Sequence, residues 1–168
     1  LKGTYSAQVN GVGPQNCTKC AAGTITSVDG ATSCTSCVAG KYQNATGSTV
    51  CKFCPTGTYG GSVGLSVCAA CNTGEYTSFT GTIACTPCAV GTRSAKVTGS
   101  SSCVDCLPGT IAATQGQTAC STCLSGYFQS LSRQGSCTAC DPGTFSNTTA
   151  LSACFRCPPG TFSVKQGT

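Results

Sequence analysis

The sequence has no histidine, methionine or tryptophan, and only 8% of its 168 residues are charged. Its acidic residues are one glutamate and three aspartates: Glu75, Asp29, Asp105 and Asp141. These residues form no repeated carboxylate pair, and without histidine no nucleophile and base can be matched, so we expect no catalytic residues. Phe, Leu, Ile and Val together number 26, below the roughly 20% that a conventional core requires. The composition argues against an enzyme, predicts no cofactor, and requires something other than hydrophobic burial to stabilise the chain.

Charge and long apolar runs are also missing. Nine Lys and Arg residues against four Asp and Glu give a net charge of +5, but the basic residues are scattered. Nucleic-acid-binding surfaces cluster their basic side chains, so the scatter predicts a solvated surface and no nucleic-acid partner. No apolar run approaches the roughly 18 residues of a membrane helix, and we expect no membrane contact within this segment.

Cysteine is abundant, and its spacing is regular. The 18 cysteines form nine CxxC pairs. Successive pairs are 17 residues apart, except for one step of 18 residues between Cys85 and Cys103. The pairs are Cys17/Cys20, Cys34/Cys37, Cys51/Cys54, Cys68/Cys71, Cys85/Cys88, Cys103/Cys106, Cys120/Cys123, Cys137/Cys140 and Cys154/Cys157. Such a period predicts a tandem repeat.

Other residues keep the same phase as the cysteines. A glycine stands three residues after every second cysteine, and a large apolar or aromatic side chain follows two residues later, with Arg93 as the one polar exception. A second glycine recurs further on, but Arg133 and Ala150 replace it in two repeats. Leu107-Pro108-Gly109 and its equivalents are typical of a type II turn. We expect each repeat to be a small two-stranded loop with little or no helix, joined to the next by the two residues inside each CxxC, such as Lys52 and Phe53.

Three chemistries compete for a CxxC pair. Two pairs at this spacing resemble a four-cysteine zinc site, but nine pairs leave a remainder when divided into such sites. A redox motif needs one reactive pair in a βαβ context, whereas these pairs are nearly identical. A high cysteine content is instead typical of secreted disulfide scaffolds. We therefore expect neither a metal site nor a redox site.

The loop length favours one disulfide pattern. A bond within Cys51/Cys54 closes a very short ring, whereas Cys54 to Cys68 closes a loop of about 15 residues, worth roughly 3 kcal/mol. The predicted bonds are Cys20–Cys34, Cys37–Cys51, Cys54–Cys68, Cys71–Cys85, Cys88–Cys103, Cys106–Cys120, Cys123–Cys137 and Cys140–Cys154. Cys17 and Cys157 remain, and we expect them to pair beyond a fragment of a longer array. The predicted organisation is a partial leading repeat over 1–17, tandem repeats over 18–157, and a partial trailing repeat over 158–168.

Three N-x-[ST] sequons make Asn16, Asn44 and Asn147 candidates for N-glycosylation in a secreted or cell-surface chain. Asn44 and Asn147 are the better candidates, because a cysteine follows Asn16. The threonines that follow the first glycine are either turn residues or sites for O-linked sugar. They are Thr24, Thr58, Thr92, Thr110, Thr144 and Thr161.

Cys-x2-Gly-Thr-Tyr followed by a closing cysteine, as in Cys54 to Cys68, resembles the ephrin-receptor-like cysteine-rich repeat. It is also similar to the single-disulfide loop of tumour necrosis factor receptor modules. The resemblance covers the chain from Gly3 to Thr168. It implies an elongated stack of disulfide-closed loops, with Tyr59 and its equivalents packed over the neighbouring disulfide. Receptor modules alternate this loop with a second type, whereas here one type recurs.

The recurrence of a single loop type favours an extracellular structural protein, such as a glycosylated rod, stalk or surface filament. Its expected partners are neighbouring repeats, further copies of the chain and glycans. The alternative is a receptor-type ectodomain that binds a protein ligand. A binding site should interrupt the repeat. Arg93 and Lys96, in the one longer repeat, are then the first residues to consider.

Overall fold

The computed structural model describes residues 1–6, 16–164 and 166–167. Residues 7–15, which form most of the predicted leading repeat, and the trailing residues 165 and 168 lie outside this description. All regular structure in the described part is β-strand, and the sequence prediction of a fold without helix is confirmed. Among the described residues there is no helix that could cross a membrane.

Short strands follow one another along the described chain. They are β1 (Thr4–Tyr5), β2 (Thr18–Lys19), β3 (Thr24–Ile25), β4 (Thr35–Ser36), β5 (Lys41–Tyr42), β6 (Lys52–Phe53), β7 (Thr58–Tyr59), β8 (Ala69–Ala70), β9 (Glu75–Tyr76), β10 (Thr86–Pro87), β11 (Thr92–Ser94), β12 (Cys103–Asp105), β13 (Thr110–Ile111), β14 (Ser121–Thr122), β15 (Tyr127–Phe128), β16 (Thr138–Ala139), β17 (Thr144–Phe145) and β18 (Phe155–Arg156). Each odd-numbered strand pairs antiparallel with the next strand, which gives nine two-stranded sheets in the described residues.

The second strand of each hairpin lies inside a CxxC pair. In one hairpin Thr58 is opposite Ala70 and Tyr59 is opposite Ala69. In another, Lys52 and Phe53 pair with Tyr42 and Lys41. The expectation that these intervening residues are linkers is therefore wrong. Two residues between cysteines form a strand because the first strand of the same hairpin supplies their hydrogen-bond partners.

A tight turn precedes the first strand of each hairpin. At Leu107-Pro108-Gly109 the Thr110 N–H donates to the Leu107 carbonyl at 2.9 Å, and Gly109 has a φ of 82°. Proline supplies the φ of the second turn position, and only glycine adopts the positive φ of the third without strain. The type II turn predicted from the sequence is thus confirmed.

The chain forms two compact units, one of residues 1–71 with 77–85 and the other of residues 72–76 with 86–168. In both units the fully buried positions are mainly sulfur. The second cysteine of each CxxC pair from Cys20 to Cys140 is at most 1% exposed. Half-cystines thus take the interior place that leucine and phenylalanine have in ordinary domains.

Backbone hydrogen bonds connect each loop to the following loops within a unit. The N–H of the first glycine of a repeat donates to a backbone carbonyl of the next repeat. The acceptor is the residue that follows the large side chain, as in Gly23 to Gln43 at 2.7 Å and Gly109 to Gln129 at 2.7 Å. The N–H of the second glycine of a repeat also donates to a cysteine carbonyl of the preceding loop, as in Gly64 to Cys37 at 2.7 Å. Nearest-neighbour bonds of this kind are what make repeat proteins additive in stability.

The longer repeat keeps this scheme with one change. Its strands β11 and β12 have three residues each, and the extra length lies in an exposed bend around Lys96. The Gly74 N–H bonds the side-chain Oγ of Ser94 at 3.2 Å, where other repeats supply a backbone carbonyl. The serine hydroxyl therefore compensates for the inserted residue.

Candidate functional site

The repeated chemical element of the molecule is the disulfide joint between loops. The second cysteine of each pair bonds the first cysteine of the next: Cys20–Cys34, Cys37–Cys51, Cys54–Cys68, Cys71–Cys85, Cys88–Cys103, Cys106–Cys120, Cys123–Cys137 and Cys140–Cys154. The bonded Cα atoms are 5.6–5.8 Å apart. These are the pairs that loop closure favours. Oxidised in this way, the sulfurs act as covalent cross-links and offer no thiolate to a metal or a substrate.

Cys17 and Cys157 form no disulfide with another described residue; Cys17 is exposed and Cys157 is half-buried. Their predicted pairing beyond this segment stays a prediction. In the part of the chain that the structure describes, no three cysteine or carboxylate side chains are grouped as a metal centre would require.

A buried polar position, which the sequence did not single out, braces the loops. It directly follows the large side chain and holds a buried Thr, Gln or Ser in most repeats, including Gln43 and Gln129, whereas Gly60 and Ala112 occupy it in two others. The Gln129 Nε2 donates to the Ser136 carbonyl at 2.7 Å, and its Oε1 accepts from the Leu131 N–H at 3.1 Å. Gln43 makes the same two bonds in its own loop. The only sequence signal is that this position never holds a large apolar residue.

The large side chain itself is half-buried in most repeats, as at Tyr59. The phenylalanines inside CxxC pairs are more open, with Phe53 60% exposed and Phe155 54% exposed. The Lys41 ammonium lies 4.4 Å above the Phe53 ring, and the Phe155 ring is 6.0 Å from that of Phe145. These two rings thus contact neighbouring side chains on the hairpin surface and remain largely accessible.

The threonine after the first glycine is a turn residue. Its Oγ1 donates to the carbonyl three residues earlier, at 2.7 Å in Thr58, Thr92 and Thr110. Thr92 is only 3% exposed, so at this position the threonine is a buried turn residue and not an accessible site for O-linked sugar. Among the sequon residues, Asn16, Asn44 and Asn147 are all exposed, and the Lys52 ammonium donates to Asn44 Oδ1 at 3.3 Å.

The longer repeat carries a groove of about 450 Å³, here called the Arg93 groove. It is lined by Thr73, Arg93, Ser94, Ala95, Lys96, Val97 and Thr118. The structure therefore brings together Arg93 and Lys96, the two residues that the sequence names first for ligand binding. Thr73 and Thr118, from the neighbouring repeats, complete the groove and could not be assigned to it from sequence.

Comparison with known proteins agrees with this geometry. No curated protein is similar enough to count as a relative. A family model described as tyrosine-protein kinase ephrin type A/B receptor-like matches residues 29–65, 109–150 and 126–168, more than half of the chain. Each matched segment holds two CxxC pairs, and the family is a cysteine-rich repeat module, not a catalytic one. The chain belongs to the ephrin-receptor-like family of cysteine-rich repeats.

Proposed function

We propose that this chain is an extracellular structural segment, a rod, stalk or surface filament whose length is set by its repeat number. The hydrogen bonding between successive loops carries this proposal. The same donor and acceptor positions recur from repeat to repeat, as in Gly40 to Gly60 at 2.8 Å and Gly126 to Ser146 at 2.8 Å. A constant junction between units is what a spacer needs, because each added repeat then adds a constant step.

The cross-links support an extracellular location. Eight disulfides are typical of a chain that folds in an oxidising compartment. They also make the segment suited to mechanical work, since each covalent bond limits how far its loop can extend. The family adds no catalytic role, and the exposed sequons at Asn44 and Asn147 suit a glycosylated surface protein.

Adding repeats tests the spacer function. A second copy of residues 107–123, inserted after Cys123, keeps the cysteine phase. The maximum dimension in solution scattering should grow by on the order of 10 Å for each inserted copy. A Gly/Ser insert of the same length serves as the control and should add a flexible loop without a fixed step. A maximum dimension that does not change with added repeats would contradict the proposal.

A second candidate is a receptor-type ectodomain that binds a protein ligand, and the position of the Arg93 groove, not its lining, favours it. The groove lies in the repeat that departs from the common length, as expected of a binding site set into a scaffold. Replacing residues 89–106 with a copy of 107–123 removes the groove and keeps the loops. If the chain is a receptor ectodomain, the fluorescently labelled variant should lose the binding to cells of its source that the original chain shows. If the chain is purely a spacer, the replacement should not change binding.

A further inference from the structure

The Arg93 groove has a chemistry that neither the spacer function nor the family accounts for. Arg93 and Lys96 both line it, and its lining includes no aspartate or glutamate. The carboxylate of Asp105, on the strand paired with that of Arg93, lies 4.0 Å from Arg133. Two cations beside one concave surface without a lining acid make a site that favours an anionic group.

The guanidinium of Arg93 keeps most of its donors for a ligand. Its Nη1 donates to the Ser94 carbonyl at 3.2 Å, which holds the side chain against the strand. A guanidinium has five N–H groups, so one such bond orients it and leaves a fork for a planar or tetrahedral anion. Lys96 adds a mobile point charge from the exposed bend.

The backbone of this segment is already occupied. The Ser94 N–H donates to the Gln117 carbonyl at 3.1 Å and the Ala95 N–H donates to the Ser102 carbonyl at 3.3 Å. The Lys96 N–H donates to Ser100 Oγ at 2.9 Å, and Ser100 is fully buried. An extended peptide therefore has no free row of donors here to add itself as a strand, and recognition must come from side chains.

Those side chains suit a saccharide better than a peptide. Besides the two cations, the groove presents the hydroxyls of the exposed Thr73 and Thr118, and its one sizeable apolar side chain is Val97, which is 76% exposed. Protein ligands are usually anchored by an apolar or aromatic residue in a desolvated pocket, which this groove lacks. Hydroxyls that donate and accept match the hydroxyls of a sugar ring.

We propose that the Arg93 groove binds one acidic sugar of a glycan, with Arg93 and Lys96 on its carboxylate or sulfate and the threonine hydroxyls on the ring. This site is independent of the spacer function, since a rod can carry a saccharide site without changing its length. The binding is shallow and electrostatic, so it should be weak and should decrease with added salt.

Titration of the isotope-labelled, oxidised chain by NMR tests the proposal. The probes are glucuronic acid for a carboxylate, a sulfated disaccharide from heparin for a sulfate, lactose as a neutral sugar, and a hexaglutamate peptide. We expect saturable shifts of the Ser94, Ala95 and Lys96 amides with one or both acidic sugars and none with lactose. Arg93→Gln should weaken binding by roughly tenfold, in keeping with one charge-assisted bond.

A matched variant separates site binding from general charge. Arg156→Gln removes an exposed cation from another hairpin of the same compact unit and should leave the affinity unchanged. Equal weakening by Arg156→Gln and Arg93→Gln would overturn the proposal, as would the absence of saturable shifts. Shifts of the same amides with hexaglutamate but with neither acidic sugar would also overturn it, and would favour the receptor hypothesis. The scattering experiment on added repeats is unaffected by either result.

Discussion

The Ala150 N–H donates a hydrogen bond of 2.8 Å to the Cys123 carbonyl from a residue whose φ is 63°. Other repeats make the equivalent bond from a glycine, as in Gly64 to Cys37 at 2.7 Å. Arg133, with a φ of 62°, does the same to Cys106 at 2.8 Å. Two side-chain-bearing residues are thus held in the left-handed region because the bond between loops requires that conformation.

Ala150→Gly should therefore stabilise the chain. It removes a left-handed penalty of about 1–2 kcal/mol, part of which is offset by the greater entropy of glycine when unfolded, about 0.4–1 kcal/mol. Guanidinium unfolding with disulfides intact should give a higher midpoint. Ala113→Gly, at an exposed loop residue without a positive φ, is the control and should lower the midpoint. A lower midpoint for both variants would contradict the strain at Ala150.

Because two loops approach closely at Gly109, this turn glycine should tolerate substitution far less than Gly143, its equivalent in another repeat. Gly109 and Gly143 both follow proline and both have a φ of 82°. A Cβ built on Gly109 overlaps the carbonyl oxygen of Ala150, whereas one built on Gly143 meets no described atom within 4 Å.

Gly143→Ala should cost about 1–2 kcal/mol from backbone strain alone. Gly109→Ala should cost an additional 1–3 kcal/mol or so, because a backbone oxygen must shift. Denaturant midpoints of the two variants measure the difference. Equal losses would mean that the loops are not held as closely as the geometry has them.

The buried glutamine brace should be a stability determinant. Gln129→Leu leaves the Leu131 N–H and the Ser136 carbonyl without their side-chain partner, and such groups cost about 1–3 kcal/mol. Gln117→Leu removes only a solvent-exposed bond to Thr114 and should change stability by less than about 0.5 kcal/mol. Hydrogen exchange of the Leu131 amide gives a direct readout. Unchanged protection in Gln129→Leu would show that the brace does not contribute.

Glycan mapping of the chain from a secreting eukaryotic host should separate the exposed candidates from the buried one. Enzymatic release of N-glycans should convert Asn44 and Asn147 to aspartate, since both sequons are exposed. Thr92 should carry no sugar, because it is buried and its hydroxyl donates to the Ala89 carbonyl at 2.7 Å. A glycan on Thr92 would contradict its placement in the turn.

Period and phase in the sequence predict the cross-links and the first turn. A glycine at a fixed offset with proline before it, as at Gly109, specifies a local conformation that needs no tertiary information. The disulfide pattern follows from loop length in the same way. The second strand could not be found, because two residues such as Lys52 and Phe53 have no periodicity and pair only with the first strand of their own hairpin.

The sequence predicted only part of the candidate site, because the rest of it also depends on contacts between loops. Arg93 and Lys96 are conspicuous because they interrupt a repeat. Thr73 and Thr118 belong to neighbouring loops, and only the arrangement of successive loops brings them to the groove. Gln43 and Gln129 could not be recognised as a brace either, since a buried polar side chain depends on partners that only the folded loop supplies.

Partial reduction and mass-spectrometric mapping of the native disulfides test the central claim most directly. Each second cysteine should be joined to the first cysteine of the next pair, with Cys54–Cys68 as the representative bond and Cys51 and Cys71 bonded to the loops on either side. Bonds within the pairs, such as Cys51 to Cys54, or zinc bound by reduced cysteines, would rule out a chain of disulfide-closed loops.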